Sequence, residues 1–252
     1  MKTRHILYTT FLLLSGLLIQ SAAQTNSPTA EEILQRIDDN VLSKSRVFQS
    51  SMVINGRRAK RTVSSKSWVE GEERSFTEYV APAREKGTKM LKLDDQLWTY
   101  TPSTDRTIRI SGHMLRQSVM GSDLSYEDMM EDRSLLEGYN AKITGTDTLE
   151  GRPCWVLDLT AKEKDVAYAQ RKLWVDQERY IGLKEERFAR SGKLLKTTQV
   201  KEMKQIGDRW VVTHVVFKDM LKKGKGTEFL ISDIEFDVDI PGHVFSKASL
   251  RR

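Results

Sequence analysis

A mainly β protein with short helices is predicted. Its strands are expected to form one curved antiparallel sheet, an incomplete and half-open barrel of about eleven strands with a helical lid. Three observations predict this. Apolar residues alternate with polar ones through most of the chain, the period of strands with one buried face. Short polar turns separate these runs, so neighbours should pair as hairpins. One methionine-rich stretch between Ser111 and Tyr139 shifts instead toward a helical period. So many long neighbouring strands normally curl, because an open twisted sheet leaves two unprotected edges.

The chain opens as an export signal would: Lys2 and Arg4 are positive, Ile6 to Ile19 is mainly apolar, and Ser21-Ala22-Ala23 offers small residues for cleavage. The expectation is a cleavable segment 1–23 followed by a single domain, 24–252. The apolar run is short for a membrane span, which needs roughly 20 residues, and no cysteine follows the expected cleavage site to carry a lipid anchor. Pro28-Thr29-Ala30-Glu31-Glu32 then starts a helix. Thr29 can cap it, Glu32 completes a capping box, and Ile33, Leu34, Ile37 and Val41 form its apolar stripe.

Strand-like runs follow at Val47 to Ile54, Ala59 to Glu70 and Ser75 to Ala81, with Asn55-Gly56 and Glu70-Gly71-Glu72-Glu73 as turns. Next, Leu91 and Leu93 alternate with Lys92, Trp98 and Tyr100 with Thr99, and Ile108 and Ile110 with Arg109. Asp94-Asp95 and Pro102-Ser103-Thr104-Asp105 are the joins. Met114, Leu115, Val119, Leu124, Met129, Met130, Leu135 and Leu136 mark the helical stretch, which Gly121 interrupts. Ser122 and Ser125 are candidate caps for a helix restarting at Tyr126-Glu127-Asp128, so two or three short helices are expected. Alternation returns at Ala141 to Leu149, Cys154 to Thr160, Arg171 to Asp176, Gly182 to Arg190, Leu194 to Gln205, Trp210 to Lys218 and Thr227 to Val238.

Composition narrows the function classes. The formal charge is +6 over the whole chain, and segment 1–23 holds two of the 41 basic residues and none of the 35 acidic ones. The remaining excess is mild, and basic and acidic residues alternate along most strands, so nucleic acid is not an expected partner. The basic turn Asn55 to Arg61 reads as a charged hairpin tip that keeps a sheet edge soluble. The four histidines are scattered, with no metal-ligand spacing, and Cys154 is the one cysteine, expected as a buried free thiol beside Trp155. Met120-Gly121-Ser122-Asp123-Leu124 is not a hydrolase elbow, and no glycine-rich phosphate loop is present. Glu127, Asp128, Glu131 and Asp132 read as a solvated helix rim. No enzyme activity, cofactor or metal is expected.

The order GTKMLKL, DDQLWTYTPSTDRTIRI, SGHMLRQSVMGSDLSYEDM, together with a closing IPGHVFSKASL, resembles the signature of the LolA-like outer-membrane lipoprotein-sorting family. The resemblance implies a half-barrel that holds acyl chains against a helical lid. The expected site is the inward face: Leu91, Leu93, Trp98, Tyr100, Ile108, Ile110, Trp155, Leu157, Trp210, Val212, Phe229 and Ile231, covered by Met114, Leu115, Val119 and Met120. A curled sheet either fills its concave side or leaves it open. The resemblance favours the open arrangement. Lys92, Arg109 and Arg116 are candidates for a phosphate or carboxylate head group, or else the wet side of their strands.

The implied function is that of a periplasmic carrier of lipid or lipidated protein, working between an inner-membrane lipid exporter and an outer-membrane acceptor. An envelope stress sensor that binds lipid or misfolded protein through the same half-barrel is the alternative, and a scaffold with a solid core is a third reading.

Overall fold

The computed structural model describes residues 27–56, 59–130, 134–164 and 166–252. The expected export segment lies outside them, as do Arg57 and Arg58 of the expected basic turn. Among the described residues, thirteen strands join in one antiparallel sheet: β1 (Ser45–Asn55), β2 (Lys60–Glu70), β3 (Arg74–Ala81), β4 (Lys89–Leu93), β5 (Gln96–Thr101), β6 (Arg106–Ile110), β7 (Tyr139–Leu149), β8 (Arg152–Ala161), β9 (Gln170–Asp176), β10 (Gly182–Phe188), β11 (Leu194–Ile206), β12 (Arg209–Asp219) and β13 (Thr227–Phe236). The count exceeds the expected figure of about eleven, and each alternating run read in the sequence, the short β4, β5 and β6 included, forms a ladder strand.

The topology is a meander closed through its ends. The strand order is β6-β5-β4-β3-β2-β1-β13-β12-β11-β10-β9-β8-β7. Every pair is therefore sequential except one, the seam where the first strand meets the last. The sheet stays open between β6 and β7, and the chain from 111 to 138 runs from one of these edges to the other. The described residues of that segment carry two short α-helices, α2 (Tyr126–Met129) and α3 (Leu135–Gly138), and two turns of tighter helix at Gly112–Arg116 and Val119–Gly121.

An N-terminal helix, α1 (Ala30–Val41), forms where its residues predict. Thr29 Oγ1 accepts from the Glu32 amide while Glu32 accepts from the Thr29 amide, the reciprocal capping box. Its buried stripe Ile33, Leu34 and Ile37 packs on Leu157, Leu159, Leu173 and Val175, which project from β8 and β9. The opposite face of the sheet has its own cover. Ile240, Phe245 and Leu250 of the C-terminal segment pack there against Phe76, Leu91 and Trp98, so strands β3 to β5 are buried from both sides.

A lidded cavity in the half-barrel

Four rows of side chains, fixed by strand register, build a cavity. Phe229, Met52 and Val63 stand side by side across β13, β1 and β2. The next row is Ile231, Ser50, Ser65 and Tyr79, reaching β3; then Phe48, Ser67 and Thr77; then Phe236, Arg46, Val69 and Ser75. All but Val63 line one cavity of about 360 Å³, together with Trp210, Val212 and Phe217 of β12, a size within the range of small-molecule pockets. The floor on β1 to β3 is made of small hydroxyl residues at its centre, while β12 and β13 supply bulky apolar and aromatic ones. Space exists because the floor side chains are short: a Leu or Val in place of each serine would project into it.

The lid closes one end. Val119 and Leu124 are buried against Met52, Ile54, Val63 and Tyr79, with Met114, Leu115, Met120 and Met129 packed beside them. The loop is tied to itself, since the Val119 amide donates to Leu124 O at 2.9 Å and the Tyr126 amide to Gln117 O at 3.1 Å. It is also tied to the sheet. Asp123 accepts from Thr227 Oγ1 at 2.9 Å and from the Asp219 amide at 3.0 Å. Of the two expected caps, Ser125 caps α2 in a box with Asp128, whereas Ser122 Oγ accepts from the Leu124 amide inside the loop.

A buried ionic cluster latches α2 to the far wall. Asp128, expected on a solvated rim, is instead buried: its side chain is 2% exposed and pairs with Lys196 of β11 and with Arg187 of β10 at 3.3 Å. Tyr168 Oη donates to it at 2.6 Å. Glu185 accepts from Arg171 at 3.0 Å and from Arg187 at 2.9 Å. Burial alone would raise the Asp128 carboxyl, but the charges of Lys196 and Arg187 outweigh it and hold the group below the ordinary carboxylate range. Glu185 behaves alike, burial being overcome by Arg187 and Arg171. Glu131 and Asp132 of the expected rim lie outside the described residues.

The expected site residues divide into four groups, with Ile108 apart from them. Trp210, Val212, Phe229 and Ile231 line the cavity, and Ile110 joins Met114, Leu115, Val119 and Met120 in the lid cluster. Trp155 and Leu157 share the cavity face but lie in the cluster under α1, Trp155 stacked near Tyr180 with ring centroids 5.3 Å apart. Leu91, Leu93, Trp98 and Tyr100 are corrected: they face the other way, into the cluster with Ile240, Phe245 and Leu250. Register sets this, because Thr77 of the floor pairs with Met90, which pairs with Thr99, which pairs with Ile108. Ile108 thus shares the cavity side, at the edge strand and 43% exposed.

The three candidate head-group residues are not together. Lys92 is buried and donates to Glu72 O at 2.5 Å. Arg109 pairs across from Trp98 on the opposite face, and Arg116 lines a separate groove with Glu127, Lys164 and Arg190. Sequence reasoning missed the floor hydroxyls altogether. Their signal was the pair of runs QSSMV and TVSSKSWV, where serines occupy the positions that alternate with exposed ones.

The fold and cavity define a class, the open half-barrel with an internal lidded pocket. A family described as "-like: Uncharacterized protein" matches residues 71–252, and with its structural neighbours this shows that the chain belongs to a LolA-like outer-membrane lipoprotein-sorting family. Among solved structures, a DUF1329 family protein from Desulfovibrio piger superposes with a TM-score of 0.81 at 25% identity, covering 88% of this chain and 97% of that one. A putative outer membrane lipoprotein-sorting protein domain from Vibrio parahaemolyticus gives 0.79 at 25% identity, over 88% and 98% of the two chains. A LolA superfamily protein from Nitrosomonas europaea gives 0.75 at 25% identity, over 88% and 100%. No curated protein matches the chain.

Proposed function

We propose that this protein is a periplasmic carrier that holds an acyl chain of a lipid or lipidated protein in the half-barrel and delivers it toward the outer membrane. The single observation that carries this reading is the cavity of about 360 Å³ between the short hydroxyl floor and the aromatic wall. Each methylene moved from water into such a space contributes about 0.8 kcal/mol, so a long chain is bound without any bond being made. Sorting-type structural neighbours support the same compartment and cargo class. Release requires the lid to part from Lys196 and Arg187, and an inner-membrane exporter and an outer-membrane acceptor are the partners proposed for loading and unloading.

The test fills the cavity. Ser67→Leu places a branched side chain at the centre of the floor, where Ser67 is buried between Phe48 and Thr77. The variant is expected to keep its melting temperature within a few degrees and to lose uptake of a fluorescent acyl probe by tenfold or more, on the order of 1.4 kcal/mol per decade. Native mass spectrometry of wild-type protein taken from its own envelope should show a bound lipid. A bare mass, with no probe uptake by the wild type, overturns the carrier reading.

A further inference from the structure

The floor is not simply small; it is polar in a way that an alkyl chain does not use. Ser50 Oγ and Ser65 Oγ lie 2.9 Å apart, as do Ser67 Oγ and Thr77 Oγ1. The four side-chain-bearing residues are 5–8% exposed. Each hydroxyl can donate once and accept twice, and one hydrogen bond within a pair uses one of its two O–H groups. The second O–H of each pair has no other partner among the described residues. Two donors and several lone pairs therefore remain on the floor of a mainly apolar chamber, whose other polar lining residues are Asn40, Arg46, Ser75, Asp128 and Arg187, and an unsatisfied buried hydroxyl costs free energy. Beside them on β13 stand Phe229 and Ile231, and on β12 Trp210, which offer no such groups to a ligand beyond the indole N–H.

Resting on the carrier reading, we infer that the cargo is an oxygenated acyl chain, one that carries a hydroxyl or ester oxygen along the part lying in the cavity, with its hydrocarbon against β12 and β13 and its oxygen on the two hydroxyl pairs. A plain saturated chain leaves both spare donors unmet. An oxygen at the level of β2 accepts from them, and a hydroxyl can also donate back. The first pair bridges β1 and β2 and the second bridges β2 and β3, with Ser65 and Ser67 next-but-one neighbours on β2 and Phe48 beside Ser67 on β1, so the donors form a short track and not a single point. The ligand class is set by this track and the aromatic wall together.

The experiment compares β-hydroxymyristate with myristate, which share chain length and carboxylate and differ by one hydroxyl, by displacement of a fluorescent acyl probe. Wild-type protein should bind the hydroxylated chain about three- to tenfold more tightly, the worth of one net hydrogen bond. In the variant Ser50→Ala/Ser65→Ala/Ser67→Ala/Thr77→Val both members of each pair are removed together, which is close to neutral for folding. There the preference for the hydroxylated chain over myristate should vanish. Should the fourfold variant fail to fold, Ser67→Ala/Thr77→Val is measured against the same two ligands. Equal binding of both ligands by the wild type, or a preference that survives the substitutions, overturns this inference and leaves the carrier reading standing. Failure of the wild type to bind either ligand overturns both.

Discussion

Asp128 shows how one side chain on a four-residue helix controls a lid. It gathers Lys196, Arg187, Tyr168 and Ser125 around a buried carboxylate, and removing one partner of such a set costs about 3–5 kcal/mol. Asp128→Asn is expected to release α2 from the wall, seen as faster amide exchange across residues 118–130 with the sheet still protected. The folded carboxyl is held lower than the unfolded one. Its stabilisation is therefore complete above the unfolded value, near about pH 4, and is lost as pH falls through the lower folded value. Melting curves from neutral to acid should show the wild type's advantage over Asp128→Asn shrinking below about pH 4; a constant gap would remove the latch. The sequence placed this residue on a helix correctly but could not reveal its burial, since Lys196 and Arg187 approach it from strands some 60 residues downstream.

At the scale of elements, the sheet's two faces explain why four of the twelve expected strand residues, Leu91, Leu93, Trp98 and Tyr100, were misplaced. Strands β4 and β5 carry apolar residues on both sides: Met90 and Leu97 toward the lid cluster, Leu91 and Trp98 toward the C-terminal segment. Alternation identifies a strand but not which face is inside when both are covered. The larger aromatics happened to lie outward, and nothing in Ile240 to Leu250 announces which face that segment will cover. Leu250→Ala tests the assignment. Leu250 is fully buried, so the change should cost about 2–5 kcal/mol and lower the melting temperature, while acyl-probe affinity at 25 °C stays unchanged because the cavity is on the other side. By contrast α1 was legible throughout, since its capping box and apolar stripe lie within one local stretch.

For the molecule as a whole, strand runs, turns and the helical interruption were all readable, because each depends on neighbours in the chain. The half-barrel followed from strand number and the need to bend. The seam did not, because β1 and β13 pair across some 180 residues of chain and no local pattern records it. A chain ending before Thr227 should lose acyl binding entirely, and tryptophan fluorescence with probe titration would show it; retained uptake would separate the pocket from the seam.

That long-range pairing has a consequence for how the protein comes into being. Hairpins on either flank can assemble early from adjacent segments, but loop-closure entropy delays a contact between the first and last strands. The serine-bearing strand and its aromatic neighbour are the two that meet there. On the proposed carrier reading, a partly made chain therefore has nowhere to hold a greasy guest, and cargo is accepted only once synthesis and folding are both finished.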